Sequence, residues 1–267
     1  MQCLNNMEKK INSRRNFLQN TLAATGSFGL LSITGVLQAQ PAKNPTDKKK
    51  IVVVGGHPDD PESGCGGTLA KLANAGHDVT IVYLTTGDAG IEGKSLTDAA
   101  AIRKQEAINA CKILKAKPVF AGQIDGDTVF NNDWLKKIQQ LLDDEKPDLV
   151  FTHWSIDSHK DHQVASMLTI QTWMRTERPF ALYFFEVSAG IQTMLFHPTD
   201  YVDITDTQEQ KRKALYCHTS QHPDRIYSEV HTAMEDFRGK ESGVKAGEAF
   251  VRMNGKKPGE IFMSVAG

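Results

Sequence analysis

The sequence predicts an α/β protein whose mostly parallel β-sheet is covered by helices on both faces. Short apolar runs such as Ile51–Val54 are typical of strands that are buried on both faces. Longer stretches with apolar residues at helical spacing follow these runs in regular alternation. That alternation indicates right-handed βαβ units, which build parallel sheets. The length of 267 residues, 40% of them hydrophobic and 24% charged, suits one globular domain, or one domain with an insertion.

Apolar runs and capping residues indicate where the individual strands and helices begin and end along the chain. Strands are predicted over residues 51–54, 79–84, 118–120, 148–151 and 181–186. Helices are predicted over residues 66–75, 98–114, 165–175, 208–216 and 227–238, with a further helix that begins after an Asn131 cap. No element is predicted between residues 188 and 201, and the sequence contains no internal repeat.

The first 39 residues are interpreted as an export signal. Arg14 and Arg15 precede Phe17 and Leu18, as in the twin-arginine consensus, and the next two dozen residues carry no charge. This stretch is less apolar than an ordinary membrane-spanning helix, and Ala39 ends a small-residue cleavage site. An uncleaved anchor or a chance basic pair is the alternative. We therefore predict a twin-arginine signal peptide (1–39), a linker (40–50) and one domain (51–267), exported to the periplasm or beyond the cell, with no stable membrane anchor after cleavage.

The net charge limits the binding partners that the sequence allows, and the cysteine count argues against a disulfide framework. A formal net charge of −1 is not the basic footprint of a nucleic-acid-binding protein. Loss of the basic leader makes the remainder more acidic, which also argues against binding to an anionic membrane. Three cysteines remain after the leader, which is an awkward number for a disulfide framework. Because the twin-arginine route carries folded proteins, we expect Cys65, Cys111 and Cys217 to be buried free thiols.

Two polar clusters follow predicted strands at the point where each strand ends. Residues 57–62 come directly after the first strand, and residues 153–162 come directly after the fourth. Open parallel sheets bind ligands at the carboxyl ends of their strands. If the strand order is 3-2-1-4, the first and fourth strands are neighbours, and the two clusters face each other.

Together the clusters offer the imidazole and carboxylate groups that bind zinc. A catalytic zinc site uses three protein ligands and keeps one open position, and zinc lowers the pKa of water toward about 7. Taken separately, the first cluster is also compatible with a turn and helix cap, and the second with a solvated helix start. The glycines do not form a dinucleotide-binding fingerprint. The remaining histidines are interpreted as ordinary surface or structural residues: His77, His197, His222 and His231.

The order of these motifs resembles the PIG-L/LmbE-like N-acetylglucosaminyl deacetylase family. The resemblance spans residues 51–250 and rests chiefly on HPDDPESGCGGT (57–68) and HWSIDSHKDH (153–162). Weaker matches follow the family order: TTGDAG (85–90), RKQEAINACKIL (103–114), KALYCHTSQ (213–221) and GEAF (247–250). The resemblance implies a Rossmann-like fold and a bound divalent metal, usually zinc. It also implies an enzyme that uses this metal to remove N-acetyl groups from amino-sugar substrates.

The resemblance also implies the metal ligands and the base. His57 and Asp60 match the first two metal ligands of the family, and His162 matches the third. Asp59 matches the general base that takes a proton from the attacking water.

Four further residues match family positions. His159 matches the histidine that stabilises the oxyanion, and Asp161 matches a carboxylate that orients that histidine. Arg103 and Asp125 match residues that hold sugar hydroxyls. Arg103 could instead pair with Glu106, and Asp125 could be only a turn residue.

The sequence departs from the family motifs at two positions, and the roles of two further residues have alternatives. Lys160 stands where many members have proline, and Asp157 replaces a tyrosine of the mycothiol-pathway members. Glu62 is expected to hydrogen-bond a metal-ligating histidine, with a helix cap as the alternative. His218 could reach the site or could serve only to close the sheet.

The resulting hypothesis is a zinc-dependent hydrolase that removes an N-acetyl group from an N-acetylglucosamine-like substrate, with another divalent metal left open. A non-catalytic carbohydrate-binding module is one alternative. A mononuclear iron oxygenase is another, because two histidines and one carboxylate also form the iron facial triad. Most such oxygenases are all-β proteins, which the predicted alternation does not favour. The sequence leaves a homo-oligomer open.

Overall fold

The computed structural model describes residues 48–176, 180–188 and 190–253, which form a mixed seven-stranded sheet with helices on both faces. The predicted signal peptide, most of the linker and the last 14 residues lie outside the described residues. The strands are β1 (Lys50–Gly55), β2 (Asp78–Thr85), β3 (Ala116–Gln123), β4 (Leu149–His153), β5 (Ala181–Phe185), β6 (Asp200–Asp203) and β7 (Gly247–Arg252).

The strand order is β3-β2-β1-β4-β5-β7-β6, so the predicted order of the first four strands is confirmed. Strands β1 to β5 pair in parallel, and β7 is antiparallel to both β5 and β6. In β1, Val53 lies opposite Phe151 of β4. The carboxyl ends of β1 and β4 therefore meet at one edge, where the two polar clusters begin.

Helices cover both faces of the sheet because the side chains of each buried strand alternate. Ile51 and Val53 face one core, whereas Val52 and Val54 face the other. The helices are α1 (Asp60–Asn74), α2 (Leu96–Leu114), α3 (Asn132–Glu145), α4 (Lys160–Arg175), α5 (Gln208–Leu215), α6 (Pro223–Ile226) and α7 (Thr232–Ser242). A π-helical turn, Tyr227–His231, joins α6 to α7.

Helices α1 and α4 each begin about five residues before the start that apolar periodicity predicts. Pro61 stands in the first turn of α1, where a missing N–H costs nothing, and Asp60 and Glu62 add negative charge there. His159 caps α4 through its ring. These first turns carry polar site residues instead of core residues, so their periodicity is hidden.

Strands β6 and β7 were not predicted. They form the antiparallel edge of the sheet, and the four residues of β6 are mostly half-buried. The three cysteines Cys65, Cys111 and Cys217 are free thiols as expected, although Cys217 is only partly buried. Among the described residues, no helix is both long enough and apolar enough to cross a membrane.

Helix α1 packs on the sheet through glycine at a point of close approach. A Cβ atom at Gly64 would overlap the ring of Phe185 in β5. Phe185 is itself fully buried, so the ring has no free space into which to move.

We expect Gly64→Ala to lower the free energy of unfolding by about 1–3 kcal/mol, because overpacking forces a shift of ring or helix. Urea unfolding followed by circular dichroism measures the change. Gly66→Ala in the same helix is the matched control, because its Cβ would lie 3.1 Å from the aliphatic Cγ of Lys211. An equal loss of stability in both variants would contradict the packing argument.

Candidate active site

A cavity of about 380 Å³ opens at the carboxyl edge of β1 and β4. Its walls include residues from both polar clusters and from the segment that follows α5. Seven of the lining residues were singled out in the sequence as site residues: His57, Asp59, Asp60, Arg103, Asp125, His159 and His162. The eighth, Asp161, is fully buried behind them. The fold therefore brings together all eight positions.

One carboxylate oxygen, Asp60 Oδ2, lies at the centre of the cluster. It is 3.0 Å from Nδ1 of His57 and 3.1 Å from Nε2 of His162. It also accepts a hydrogen bond of 2.7 Å from the backbone N–H of His57. Ligands held at about 2.1 Å from a tetrahedral zinc ion are separated by about 3.4 Å, so the distances from Asp60 Oδ2 to the two ring nitrogens are close to those between zinc ligands.

The second ring nitrogen of each of these imidazoles faces another carboxylate. His162 Nδ1 lies 3.1 Å from Asp157 Oδ1, and His57 Nε2 lies 3.1 Å from Asp161 Oδ2. Asp125 Oδ1 is also 3.1 Å from His57 Nε2. Metal-ligating histidines commonly hold their second nitrogen in this way, which fixes the ring and raises its basicity. The donor set therefore fits a divalent ion.

A fourth imidazole, that of His153, lies beside the cluster and is a second candidate for the ligand position assigned to His57. It stacks on His162 with ring centroids 4.0 Å apart, and its Nε2 is 3.4 Å from Asp60 Oδ2. That nitrogen already accepts a hydrogen bond of 2.9 Å from the backbone N–H of Gly56. Burial and the neighbouring His162 lower the pKa of His153 to about 4. The lone pair of His153 is thus occupied, which favours His57 as the ligand.

The electrostatics of the cluster favour positive charge at its centre. Burial alone would lower the pKa of His57, but Asp60, Asp125 and Asp161 together raise this pKa well above its usual value. In the same way, Asp60 and Asp157 overcome burial and raise the pKa of His162 to about 9. Despite burial, the two imidazoles hold the pKa of Asp60 well below its usual range. In the protein alone, protons on the two rings balance the buried carboxylates, and a cation would replace them.

Asp59 has an unusual backbone conformation directly before α1. Its φ of 107° and ψ of −30° lie outside the regions that ordinary residues adopt, which is a local strain at the start of α1. The carboxyl group lines the cavity, and Oδ2 lies 3.2 Å from Nη2 of Arg103. Burial raises the pKa of Asp59, and Arg103 opposes that rise.

The ring of His159 lies beside the cluster, with its centroid 4.6 Å from that of His57. Its Nδ1 accepts a hydrogen bond of 3.2 Å from the backbone N–H of Asp161. Burial, His57 and His162 lower the pKa of His159. The neutral ring therefore carries its proton on Nε2, where it can serve as a hydrogen-bond donor.

The contacts of Asp161 and Glu62 differ from the expectations. The Asp161 carboxylate does not orient His159; it contacts His57 and accepts hydrogen bonds from Gly126 N–H and Thr128 O–H, because the loop after β3 folds against it. Glu62 contacts Tyr83 and His218 instead of a ligand histidine, because it is on the far side of α1 from Asp60.

The two predicted sugar-binding residues both line the cavity. Arg103 does not pair with Glu106; its Nη2 contacts the Pro58 carbonyl and Asp59. Asp125 Oδ2 accepts a hydrogen bond of 3.2 Å from Ala89 N–H, while Oδ1 faces His57.

Two lining or supporting residues were missed. Asp157 contacts the ring of His162 and accepts a hydrogen bond from the O–H of Thr193. The only sign of it in the sequence was that it stands where the mycothiol-pathway members have tyrosine. His231 is not an ordinary surface residue: it is buried, lines the cavity and contacts the Ser63 hydroxyl at about 3 Å. His231 lies within the helix predicted over residues 227–238, and no motif in the sequence marks it as a site residue.

The fold and the His–Asp–His cluster define an α/β protein with a candidate divalent-metal site at its sheet edge. The family model of PIG-L, described as GlcNAc-PI de-N-acetylase, matches residues 52–173. The chain is 30% identical over 196 residues to the diacetylchitobiose deacetylase of Thermococcus kodakarensis, which covers 68% of this chain and 73% of that protein. The chain belongs to the PIG-L family of de-N-acetylases.

Two further comparisons agree with this assignment. The structure of N,N'-diacetylchitobiose deacetylase from Pyrococcus horikoshii, complexed with its inhibitor MPG, superposes with a TM-score of 0.70. It is 29% identical and covers 82% of this chain and 88% of its own. A probable N-acetyl-alpha-D-glucosaminyl L-malate deacetylase 2 from Bacillus subtilis is 27% identical over 65% of this chain and 84% of its own length.

We expect Asp157→Asn to weaken zinc binding about 10–100-fold, because the amide no longer fixes the His162 ring as a carboxylate does. Competition of the purified protein with a chromogenic chelator measures the affinity. Asp127→Asn, which alters an exposed aspartate on the neighbouring loop, is the control. Unchanged zinc affinity in Asp157→Asn would show that the carboxylate does not support a metal ligand.

Proposed function

We propose that this protein is a zinc-dependent hydrolase that removes the N-acetyl group from an N-acetylglucosamine-like amino sugar. The observation that carries the proposal is the placement of Asp59. Its carboxyl group lines an open cavity directly beside a His–Asp–His set that fits a divalent ion. The deacetylase names of the relatives support the same reaction. A carbohydrate-binding module would need no carboxylate at this place.

In this proposal His57, Asp60 and His162 hold the ion. When bound, a divalent ion polarises the acetamide carbonyl and lowers the pKa of water. Asp161 and Asp157 hold the two ligand rings from behind, at 3.1 Å each. Zinc is favoured by the mixture of imidazole and carboxylate ligands, and another divalent metal remains compatible with them.

The remaining residues move protons and hold the substrate. Asp59 takes a proton from the water that attacks the acetamide carbon, and Arg103 at 3.2 Å favours the ionised form of its carboxyl group and orients it. His159 donates a hydrogen bond from Nε2 to the oxygen on which negative charge develops, and the proton taken by Asp59 then passes to the leaving amine as the C–N bond breaks. Arg103 and Asp125, which line the same cavity, would hold sugar hydroxyls.

The place of action follows from the leader. We propose export by the twin-arginine route to the periplasm or beyond, supported by Arg14 and Arg15 ahead of Phe17 and Leu18. The partner is then a small amino sugar or glycoconjugate outside the cytoplasm, and neither nucleic acid nor a stable membrane anchor is part of the proposal. The oligomeric state is left open, with a homo-oligomer compatible with the proposal.

Purified, zinc-loaded protein should release acetate from N-acetylglucosamine or N,N'-diacetylchitobiose. Asp59→Asn should keep zinc and the fold but lose about 10²–10⁴-fold in rate, because the amide cannot accept the proton. Asp60→Ala should lose zinc and activity together, because the central carboxylate oxygen is removed. Zinc content and acetate release are measured on the same preparations.

Asp127→Asn again provides the control for loss of an aspartate that does not line the cavity. Activity of a zinc-replete Asp59→Asn protein would assign the base to another residue. Absence of acetate release by the wild type from every N-acetylated sugar tested would contradict the proposed reaction.

Replacing Arg14 and Arg15 together by lysine should leave the precursor inside the cell, because the twin-arginine route requires the pair. Fractionation and immunoblotting of cells that express the double variant measure its location. Replacement of Lys9 and Lys10 by arginine, which keeps the charge of the leader, is the control. Normal export of the double-lysine variant would mean that a different route is used.

A further inference from the structure

The segment 218–221, which follows α5, is anchored against the cavity by three of its four residues. Glu106 of α2 accepts hydrogen bonds from Thr219 O–H at 2.8 Å and from both Ser220 N–H and Ser220 O–H at 2.7 Å. Gln221 donates from Nε2 to the Gly90 carbonyl at 3.1 Å. These contacts fix the backbone of the segment, and they leave the ring of His218 as the one side chain without such an anchoring role.

The His218 ring lines the cavity although only 1% of the residue is exposed. Its Nε2 lies 3.3 Å from Glu62 Oε1. Neither ring nitrogen has a hydrogen-bond partner among the described residues, and only Nε2 has a carboxylate within ion-pair distance. A buried polar nitrogen is normally paired, because leaving it without a partner costs about 1–3 kcal/mol. A free nitrogen on a ring that lines a cavity indicates a ligand as the missing partner.

Glu62 holds the ring from behind. This carboxylate is fully buried, and its Oε1 accepts a hydrogen bond of 2.6 Å from the hydroxyl of Tyr83. The Tyr83 hydroxyl is in turn 3.4 Å from the Cys111 thiol, deep in the core. Because β2 supplies Tyr83 and α1 supplies Glu62, the orientation of His218 is set by two elements of the fold and not by the loop alone.

The charge of the surroundings favours the protonated form of the ring. A buried carboxylate such as Glu62 is costly without a cationic partner, and His218 is the cation nearest to it. Burial alone would lower the pKa of His218, but Glu62 and Asp59 raise it, while Arg103 acts in the opposite direction. With Nε2–H directed at Glu62, Nδ1–H remains as a donor.

We propose that His218 is a substrate-contacting residue, which Glu62 positions to donate a hydrogen bond from Nδ1 to a hydroxyl oxygen of the amino sugar. The inference rests on the proposed deacetylase function and adds a residue to it. A hydroxyl oxygen is the expected acceptor because, in the proposed function, the acetamide oxygen is taken by the ion and His159. Ring and exocyclic hydroxyls are the remaining exposed acceptors of such a sugar. Ser63 of α1 also lines the cavity, where it contacts His231. It takes no part in the contact proposed for His218.

Two substitutions separate the substrate contact from the structural pair. In His218→Gln the side-chain amide replaces Nε2 and still reaches Glu62, but no donor remains at the Nδ1 position. In His218→Asn the amide replaces Nδ1 and the contact with Glu62 is lost. We expect His218→Gln to fold like the wild type, bind zinc equally and lose about 10–100-fold in kcat/KM, mostly through KM. His218→Asn should retain more of kcat/KM than His218→Gln, although its melting temperature is lower.

The sharper measurement uses monodeoxy N-acetylglucosamines in which each hydroxyl is removed in turn. For the analogue that lacks the contacted hydroxyl, wild type and His218→Gln should have the same kcat/KM, because the lost interaction is already absent. His222→Asn is the control, since that exposed histidine four residues away does not line the cavity. Acetate release, zinc content and melting temperature are measured for every variant.

The outcomes are distinct. If His218→Gln lowers kcat/KM equally for every deoxy analogue, or leaves it unchanged for the parent sugar, the proposed contact is wrong while the deacetylase function stands. If the wild type releases no acetate from any of these sugars, the proposed function itself is contradicted, and the contact falls with it.

Discussion

The whole site depends on the parallel pairing of β1 with β4. The register that sets Val53 opposite Phe151 brings the ends of two strands together, although their sequences are about 100 residues apart. Each strand is buried on both faces, so the only polar places beside them are the turns at their ends. The ligand cluster therefore forms where the sheet core stops, and the fully buried strands below it provide a rigid support.

Around this junction, carboxylates and imidazoles alternate. Asp60 lies between two rings, and each ring has a further carboxylate on its other nitrogen. A similar pair also lines the cavity, where Glu62 contacts His218. Buried carboxylates are stable only when they are paired and hydrogen-bonded, and here the partners are rings whose free atoms line the cavity. The groups that stabilise the buried charge are thus the groups that can meet a ligand.

Much of this arrangement could be predicted from the sequence. Apolar runs predicted five of the seven strands, and the two polar clusters at strand ends indicated a metal site, for which the family resemblance implied His57, Asp60 and His162 as ligands. The antiparallel strand β6 was missed because a four-residue, half-buried edge strand carries little periodicity. Strand β7 was missed because its sequence, GEAFVR, contains no continuous apolar run. The partners of Asp161 and Glu62 escaped for another reason. Each contact joins residues far apart in sequence, and which side of a helix meets which loop depends on packing that a single sequence does not encode locally.

The distance along the chain between the two halves of the cluster has a consequence for assembly. His57 and Asp161 are 104 residues apart, so the site does not exist until β4 has been made and has paired with β1. An ion held by His57 and His162 would then close a loop of about that length, as a removable cross-link between the two halves of the sheet. Because it binds only the folded chain, a free ion concentration 100 times its dissociation constant would stabilise the native state by about 2.7 kcal/mol. The concentration of free metal ions would in this way affect the stability of the folded state as well as the proposed reaction.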